Sequence, residues 1–264
     1  MLNIKLTVAY DGTRFLGWQK TNLDPMPPSV EYVMQETLAQ ILQHPVHVQA
    51  ASITDRGVHA EGQIVNFIIQ KDVVDIHKLQ ISLNALLPED IRVLQVSIAE
   101  PNFHATLSSK AKQYVYRLYT GPVMLPALRF THWHVPQALD REKMLSGAHI
   151  LLGEHDFAAF RNHRKGNDYN DTVRNIMSID FHDVAPHVLE IRVTGNNFLY
   201  KMCRNIVGTL VYIGQGKISP GHLAQILSDG QRSDNGITAP AHGLSLCKVY
   251  YTDVSNDCIN TRFL

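Results

Sequence analysis

Between Asn3 and Tyr10 apolar and polar residues alternate, and the run stops at Asp11-Gly12, which predicts a strand closing in a turn. A loop with Pro25, Pro27 and Pro28 follows. Ser29 then predicts a helix cap, because Val30, Val33, Met34, Leu38, Ile41 and Leu42 recur behind it at helical spacing. Val46 to Ala50 predicts a short strand, and the run Gln63 to Ile69 a longer one. Ile76, Leu79, Leu83 and Leu86 share one face of a helix from Asp75 to Leu87, and Ile91 to Ser97 predicts a strand. The order is β-α-β-β-α-β.

The second half repeats that order in topology but not in residues. Gln113 to Tyr119 predicts a strand, Asp140 to Leu152 a helix capped by Asp140, and Ile176 to Phe181 and Val188 to Thr194 two strands. An apolar helix spans Tyr200 to Ile213, a shorter one begins at Ser219 with Pro220 in its first turn, and Leu246 to Tyr251 closes as a strand. The expected fold is α+β: two ferredoxin-like halves, residues 1–108 and 109–264, with the break between Asn102 and Lys112. Their strands would form one mixed, mostly antiparallel sheet with helices on one face and a central cleft lined from both halves.

Composition narrows the class. With 264 residues, 45% hydrophobic and 18% charged, the chain can bury a full core and has no disordered signature. Cys203, Cys247 and Cys258 are odd in number and lack CxxC spacing, which predicts a reducing, cytoplasmic setting. No apolar run approaches the roughly 20 residues a membrane span needs, and the alternating N-terminus does not read as a signal peptide. The net charge is zero, yet Pro101 to Leu139 holds no acid while carrying Lys110, Lys112, Arg117 and Arg129. A second acid-free run, Ile191 to Leu227, carries Arg192, Lys201, Arg204 and Lys217. Such segregation either builds a basic face for a phosphate backbone or is matched by acids brought in by the fold.

Three places hold candidate chemistry. Asp55, between Thr54 and Arg56-Gly57 and ahead of a strand, is either a carboxylate presented on a turn or an Asx-type turn former with Gly57 supplying a positive φ. Tyr114 and Tyr116 lie two apart on one strand, flanked by Lys112 and Arg117, and form either a base-stacking surface or a face buried under helices. Arg204 opens an apolar helix, Met202-Cys203-Arg204-Asn205-Ile206, where a guanidinium needs a carboxylate, and Asp55 is one candidate. The fourteen histidines, with His132-Trp133-His134 and His155-Asp156, raise a metal hydrolase, but no HExxH or other compact ligand set appears.

Taken together, the motifs resemble the tRNA pseudouridine synthases of the TruA family over nearly the whole chain. The matches are Tyr10-Asp11-Gly12 with Gly17-Trp18-Gln19, Thr54-Asp55 with Gly57-Val58-His59-Ala60, Gln63 to Phe67, Phe103-His104-Ala105 and Tyr114-Val115-Tyr116-Arg117. They continue through His155-Asp156-Phe157, Asn197-Phe198, Arg204 to Leu210 and Ala239-Pro240-Ala241. The resemblance implies isomerisation of uridine to pseudouridine at positions 38 to 40 of the tRNA anticodon stem-loop, by a homodimer, without metal or organic cofactor. It implies Asp55 as the catalytic carboxylate, Arg204 as its counter-ion and Tyr114 as the stacking residue. Thr54, Arg56, Gly57, His59, Lys112, Tyr116, Arg117 and Asn205 are expected around the substrate. Three positions depart from the family pattern. Ile53 and Thr106 stand where arginines are usual, and Glu31 stands where a glutamine is usual. The loss of both arginines sets a second expectation beside the enzyme, a catalytically weakened relative that binds or chaperones tRNA.

Overall fold

The computed structural model describes residues 1–20, 28–70, 73–162, 170–230 and 236–254; Pro25, Pro27 and Cys258 lie outside them. The chain divides into two compact units, Met1–Ala111 with Ser245–Leu264, and Lys112–Leu244. The closing strand, expected with residues 109–264, groups with the first unit, because Ser245 and Leu246 run parallel to His59 and Ala60.

The first unit contains β1 (Leu2–Tyr10), α1 (Val30–Leu42), β2 (Gln49–Ala50), β3 (His59–Ile69), α2 (Ile76–Leu86) and β4 (Ile91–Ala99). Strand β1 lies between β3 and β4 and is antiparallel to both, and β2 pairs antiparallel with β3. The order β4-β1-β3-β2 with two helices is the split β-α-β arrangement. Alternation on β1 sends Ile4, Leu6 and Val8 into the core with Met34, Leu38 and Leu83 of the helices. Ser29 caps α1 by accepting the Tyr32 N–H at 3.2 Å, and Asp75 caps α2 by accepting the Lys78 N–H at 3.0 Å. Strand β2 is shorter than its apolar run suggests. Val46 and Val48 are buried, but only Gln49 and Ala50 find ladder partners, Asn66 and Val65.

The second unit holds β5 (Ala111–Tyr119), β6 (Trp133–His134), α3 (Arg141–Ile150), β7 (Gly153–Asp156), β8 (Val173–Ala185), β9 (Val188–Gly195), α4 (Met202–Gly214) and α5 (Pro220–Asp229). Strands β5, β9, β8 and β7 pair in that order, all antiparallel, while β6 runs parallel to β5. The short strands β6 and β7 carry no alternation long enough to announce them. Helix α4 is buried on nearly every side, with Arg204 and Tyr212 the exceptions. It packs on α3 where Gly147 leaves room for Ile213 and Leu210. The last strand, β10 (Leu244–Tyr250), completes the chain's mixed, mainly antiparallel α+β fold.

Candidate active site

Asp55 sits half-buried in the loop between β2 and β3, and the backbone around it is held from several sides. Trp18 donates its N–H to the Thr54 carbonyl at 3.0 Å, and Val58 donates its own to the Asp55 carbonyl at 3.1 Å. Gln63 brackets Ser52, with Nε2 donating to the Ser52 carbonyl at 2.7 Å and Oε1 accepting the Ser52 N–H at 3.2 Å. The hydroxyl of Thr54, a residue 4% exposed, shares a 2.7 Å hydrogen bond with the Tyr10 phenol. Burial raises the Tyr10 pKa despite that bond, so the phenol stays neutral and keeps its proton for it. Gly17, at φ +102°, lets this happen. A Cβ there would stand 2.6 Å from the Thr54 carbonyl oxygen.

His59 closes the loop from its far end. Its Nδ1 accepts the Gly12 N–H at 3.1 Å and lies 3.2 Å from Asp11 Oδ1, which puts the ring inside the fold. Thr54, Gly57 (φ +77°) and His59, expected around the substrate, thus shape the loop. Of the flanking residues only Ile53 and Arg56 are exposed, Ile53 by 60%. Tyr10→Phe should test this bracing. It leaves the buried Thr54 hydroxyl short of a partner and should cost about 1–3 kcal/mol in urea unfolding.

The second unit carries the other expected residues. Tyr114 lies on β5 opposite Val193 and meets the Phe198 ring edge-on, with centroids 5.2 Å apart at 85°. Lys112, two residues earlier on the same strand face, is 4% exposed and donates Nζ to Asn197 Oδ1 at 3.1 Å. Burial, with the like charge of Arg174, pushes its pKa down to about 8. Tyr116 is no stacking surface. It is fully buried, donates its phenol to the Pro240 carbonyl at 2.8 Å and packs edge-on against Trp133. Burial raises its pKa, the positive charge of Arg204 pulling the other way.

Arg117, expected on the substrate, donates Nε to Glu190 Oε1 at 3.0 Å, and Arg192 donates Nη2 to Oε2 of the same carboxylate at 2.7 Å. Burial alone would raise the Glu190 pKa, but these two arginines outweigh it and hold the carboxyl below its usual range. The acid-free runs therefore spend two of their cations on one acid just outside them. Asn205 is likewise structural, its amide donating to the Phe160 carbonyl at 2.6 Å and to Asn162 Oδ1 at 3.0 Å while accepting the Thr238 hydroxyl at 2.8 Å. Arg204, half-buried, donates Nε to the Ala239 carbonyl at 2.7 Å, and its own carbonyl accepts the Ala239 N–H at 3.1 Å.

Among the described residues, His155 and His134 have structural uses. His155 and His134 bond the carbonyls of Leu152 and Gly121 at 2.8 Å each, and no group of three or more metal-type ligands occurs among the described residues. Nor is any helix among them long and apolar enough to cross a membrane.

Residues 148–252 match the family model described as tRNA pseudouridine synthase. Over 251 residues the chain is 49% identical to "tRNA pseudouridine synthase A 2" of Protochlamydia amoebophila, covering 95% of both chains. It is 39% identical over 251 residues to "tRNA pseudouridine synthase A" of Geotalea daltonii, covering 95% of this chain and all of that one. The chain belongs to the tRNA pseudouridine synthase A family.

The family membership changes how the departures are read. Thr106, in place of the usual arginine, donates its hydroxyl to the Ala50 carbonyl at 2.6 Å and so ties its turn to β2. Glu31 accepts the Lys20 N–H at 2.7 Å and lies in the first turn of α1, where the helix dipole favours a carboxylate. Ile53 has no such structural use. Tyr10, Gln63, Asn197 and Phe198 stand within the quoted motifs, yet sequence reasoning gave them no role. Gln63 places an amide at the head of an apolar strand, and that mismatch is the signal that it must have a partner.

Proposed function

We propose that this chain isomerises uridine to pseudouridine in the anticodon stem-loop of tRNA, with Asp55 as the reacting carboxylate. The observation that carries this reading is a half-exposed aspartate on a loop fixed by Trp18, Tyr10 and Gln63, in a chain nearly half identical to a relative named tRNA pseudouridine synthase A 2. Positioning of that kind is what a covalent or proton-transfer step requires.

In this reading the target uridine leaves its helical stack, at a cost of a few kcal/mol, and its base enters the site. The C1′–N1 bond breaks with Asp55 either attacking the sugar carbon or taking a proton from the ribose. The uracil turns, C5 bonds to C1′, and the proton on C5 is released while N1 takes one up. Arg204 serves as the counter-ion that keeps the carboxylate ionised, Tyr114 packs against the uracil, and Arg56 offers an exposed cation to the RNA backbone. The resemblance also carries a homodimer, which light scattering on the purified protein reads directly.

The test is tritium release from tRNA labelled at uracil C5, with mapping of the product nucleoside. Release from anticodon-stem uridines supports the reading. Tight tRNA binding with no release would replace it with a binding protein. Ile53→Arg extends the test, since a cation beside Asp55 should steepen the salt dependence of tRNA affinity by about one unit in log–log slope and raise turnover at low substrate. Filter binding at several salt concentrations checks the slope.

A further inference from the structure

We propose that Lys112 is a positioning residue for Tyr114, acting through Asn197 and Phe198; this rests on the reading that Tyr114 packs against the uracil. The amine is enclosed. Lys112 as a residue is 4% exposed, its hydrogen-bond partner among the described residues is the neutral Asn197 amide oxygen, and the charge nearby is the like charge of Arg174. An ammonium so placed destabilises the fold, and a methionine of the same reach would not. Too enclosed to meet a phosphate, the amine acts on what it touches.

What it touches is a turn. Asn197 Oδ1 accepts the Lys112 amine at 3.1 Å and the Phe198 N–H at 3.0 Å, so one oxygen fixes both the side chain of Asn197 and the backbone that carries Phe198. Asn196 anchors the other end, its Oδ1 accepting the Asn197 N–H at 2.7 Å and the Asn175 N–H at 3.1 Å. Gly195 clears space for the ring, since a Cβ there would lie 3.1 Å from the Phe198 ring tip. The Phe198 edge then meets Tyr114 at 85°. Amine, amide oxygen, backbone and ring form one line of contacts ending on the tyrosine.

Removing the charge should make the protein more stable and less active, a combination that loss of a merely structural contact does not give. Lys112→Met is expected to raise the unfolding temperature at pH 7 while lowering kcat for tritium release by about 10- to 100-fold, with tRNA affinity unchanged. The stabilisation should narrow as pH rises from about 8 towards 10.5, because over that window the folded amine sheds its proton before the unfolded one does. Asn197→Ala should lower kcat similarly, and the double variant should be no worse than either single one.

Wild-type kcat in Lys112→Met would overturn the proposal. So would losses that multiply in the double variant, or a loss confined to tRNA affinity. If Asp55→Ala retains full release, the catalytic reading fails instead, and the two failures are distinguishable.

Discussion

Asp55→Asn is expected to lower tritium release from C5-labelled tRNA by about 10³-fold or more, the scale set by losing a nucleophile or positioned base. Asparagine keeps the shape of aspartate, and the loop is held through backbone groups and neighbours: Trp18 to the Thr54 carbonyl, Val58 to the Asp55 carbonyl, Tyr10 to Thr54 and Gln63 to Ser52. None of these bonds uses the Asp55 carboxylate. The variant should therefore keep the loop frame in place and bind tRNA about as well as the wild type. An amide can neither attack the sugar carbon nor take a proton from the ribose, so the chemical step alone should fail. Release within tenfold of wild type, from a variant confirmed by mass, would remove Asp55 from the reaction.

That separation between the acting group and its frame explains what the sequence could and could not reveal. Helix α1 was legible because Ser29 caps a run of apolar residues at helical spacing, and β1 because strict alternation buries Ile4, Leu6 and Val8. Strands β6 and β7 were not, since two and four residues leave no period to read, and their pairing is set by β5 and β8. The neighbourhood of Asp55 was legible through its turn chemistry. The division of labour within it was not. Thr54, His59, Tyr116, Arg117 and Asn205 have side chains able to meet a substrate, and in a linear sequence that ability looks the same as the ability to brace a loop. Only packing distinguishes them. Thr54 finds Tyr10 forty-four residues away, and Tyr116 finds Pro240 at a separation of 124.

The same distance problem hid Lys112. Read on the strand, it is one more cation flanking two tyrosines and invites a phosphate. Folded, it is enclosed against a turn eighty-five residues later, and its charge becomes a cost to be explained. The two acid-free runs repeat the lesson: Arg117 and Arg192 come from different runs yet share the carboxylate of Glu190 across adjacent strands. A count of cations overstates the positive surface that reaches solvent.

Gly208→Ala should be the most damaging substitution outside the reacting groups. A Cβ on Gly208 would stand 1.7 Å from the Ile237 carbonyl oxygen, 2.9 Å from its carbonyl carbon and 3.3 Å from the Ala239 nitrogen. All three are backbone atoms, so no side-chain rotation relieves the clash, and segment 236–240 must move away from α4. That movement breaks bonds in series: Arg204 Nε to the Ala239 carbonyl, Ala239 N–H to the Arg204 carbonyl, Gly236 N–H to the Thr209 hydroxyl and Tyr116 to the Pro240 carbonyl. Overpacking costs typically about 1–3 kcal/mol, and the lost bonds carry this case to about 3 kcal/mol or beyond. Activity should fall with stability, because two of the broken bonds orient Arg204. Gly221→Ala supplies the comparison. Gly221 lies in the first turn of α5 with nothing within 4 Å of the added carbon, so the same chemical change should stabilise by about 0.5–1 kcal/mol. Urea unfolding of the two variants side by side checks the contrast, and a Gly208→Ala protein as stable as the wild type would show that the segment yields freely and that its contacts do not hold Arg204 in place.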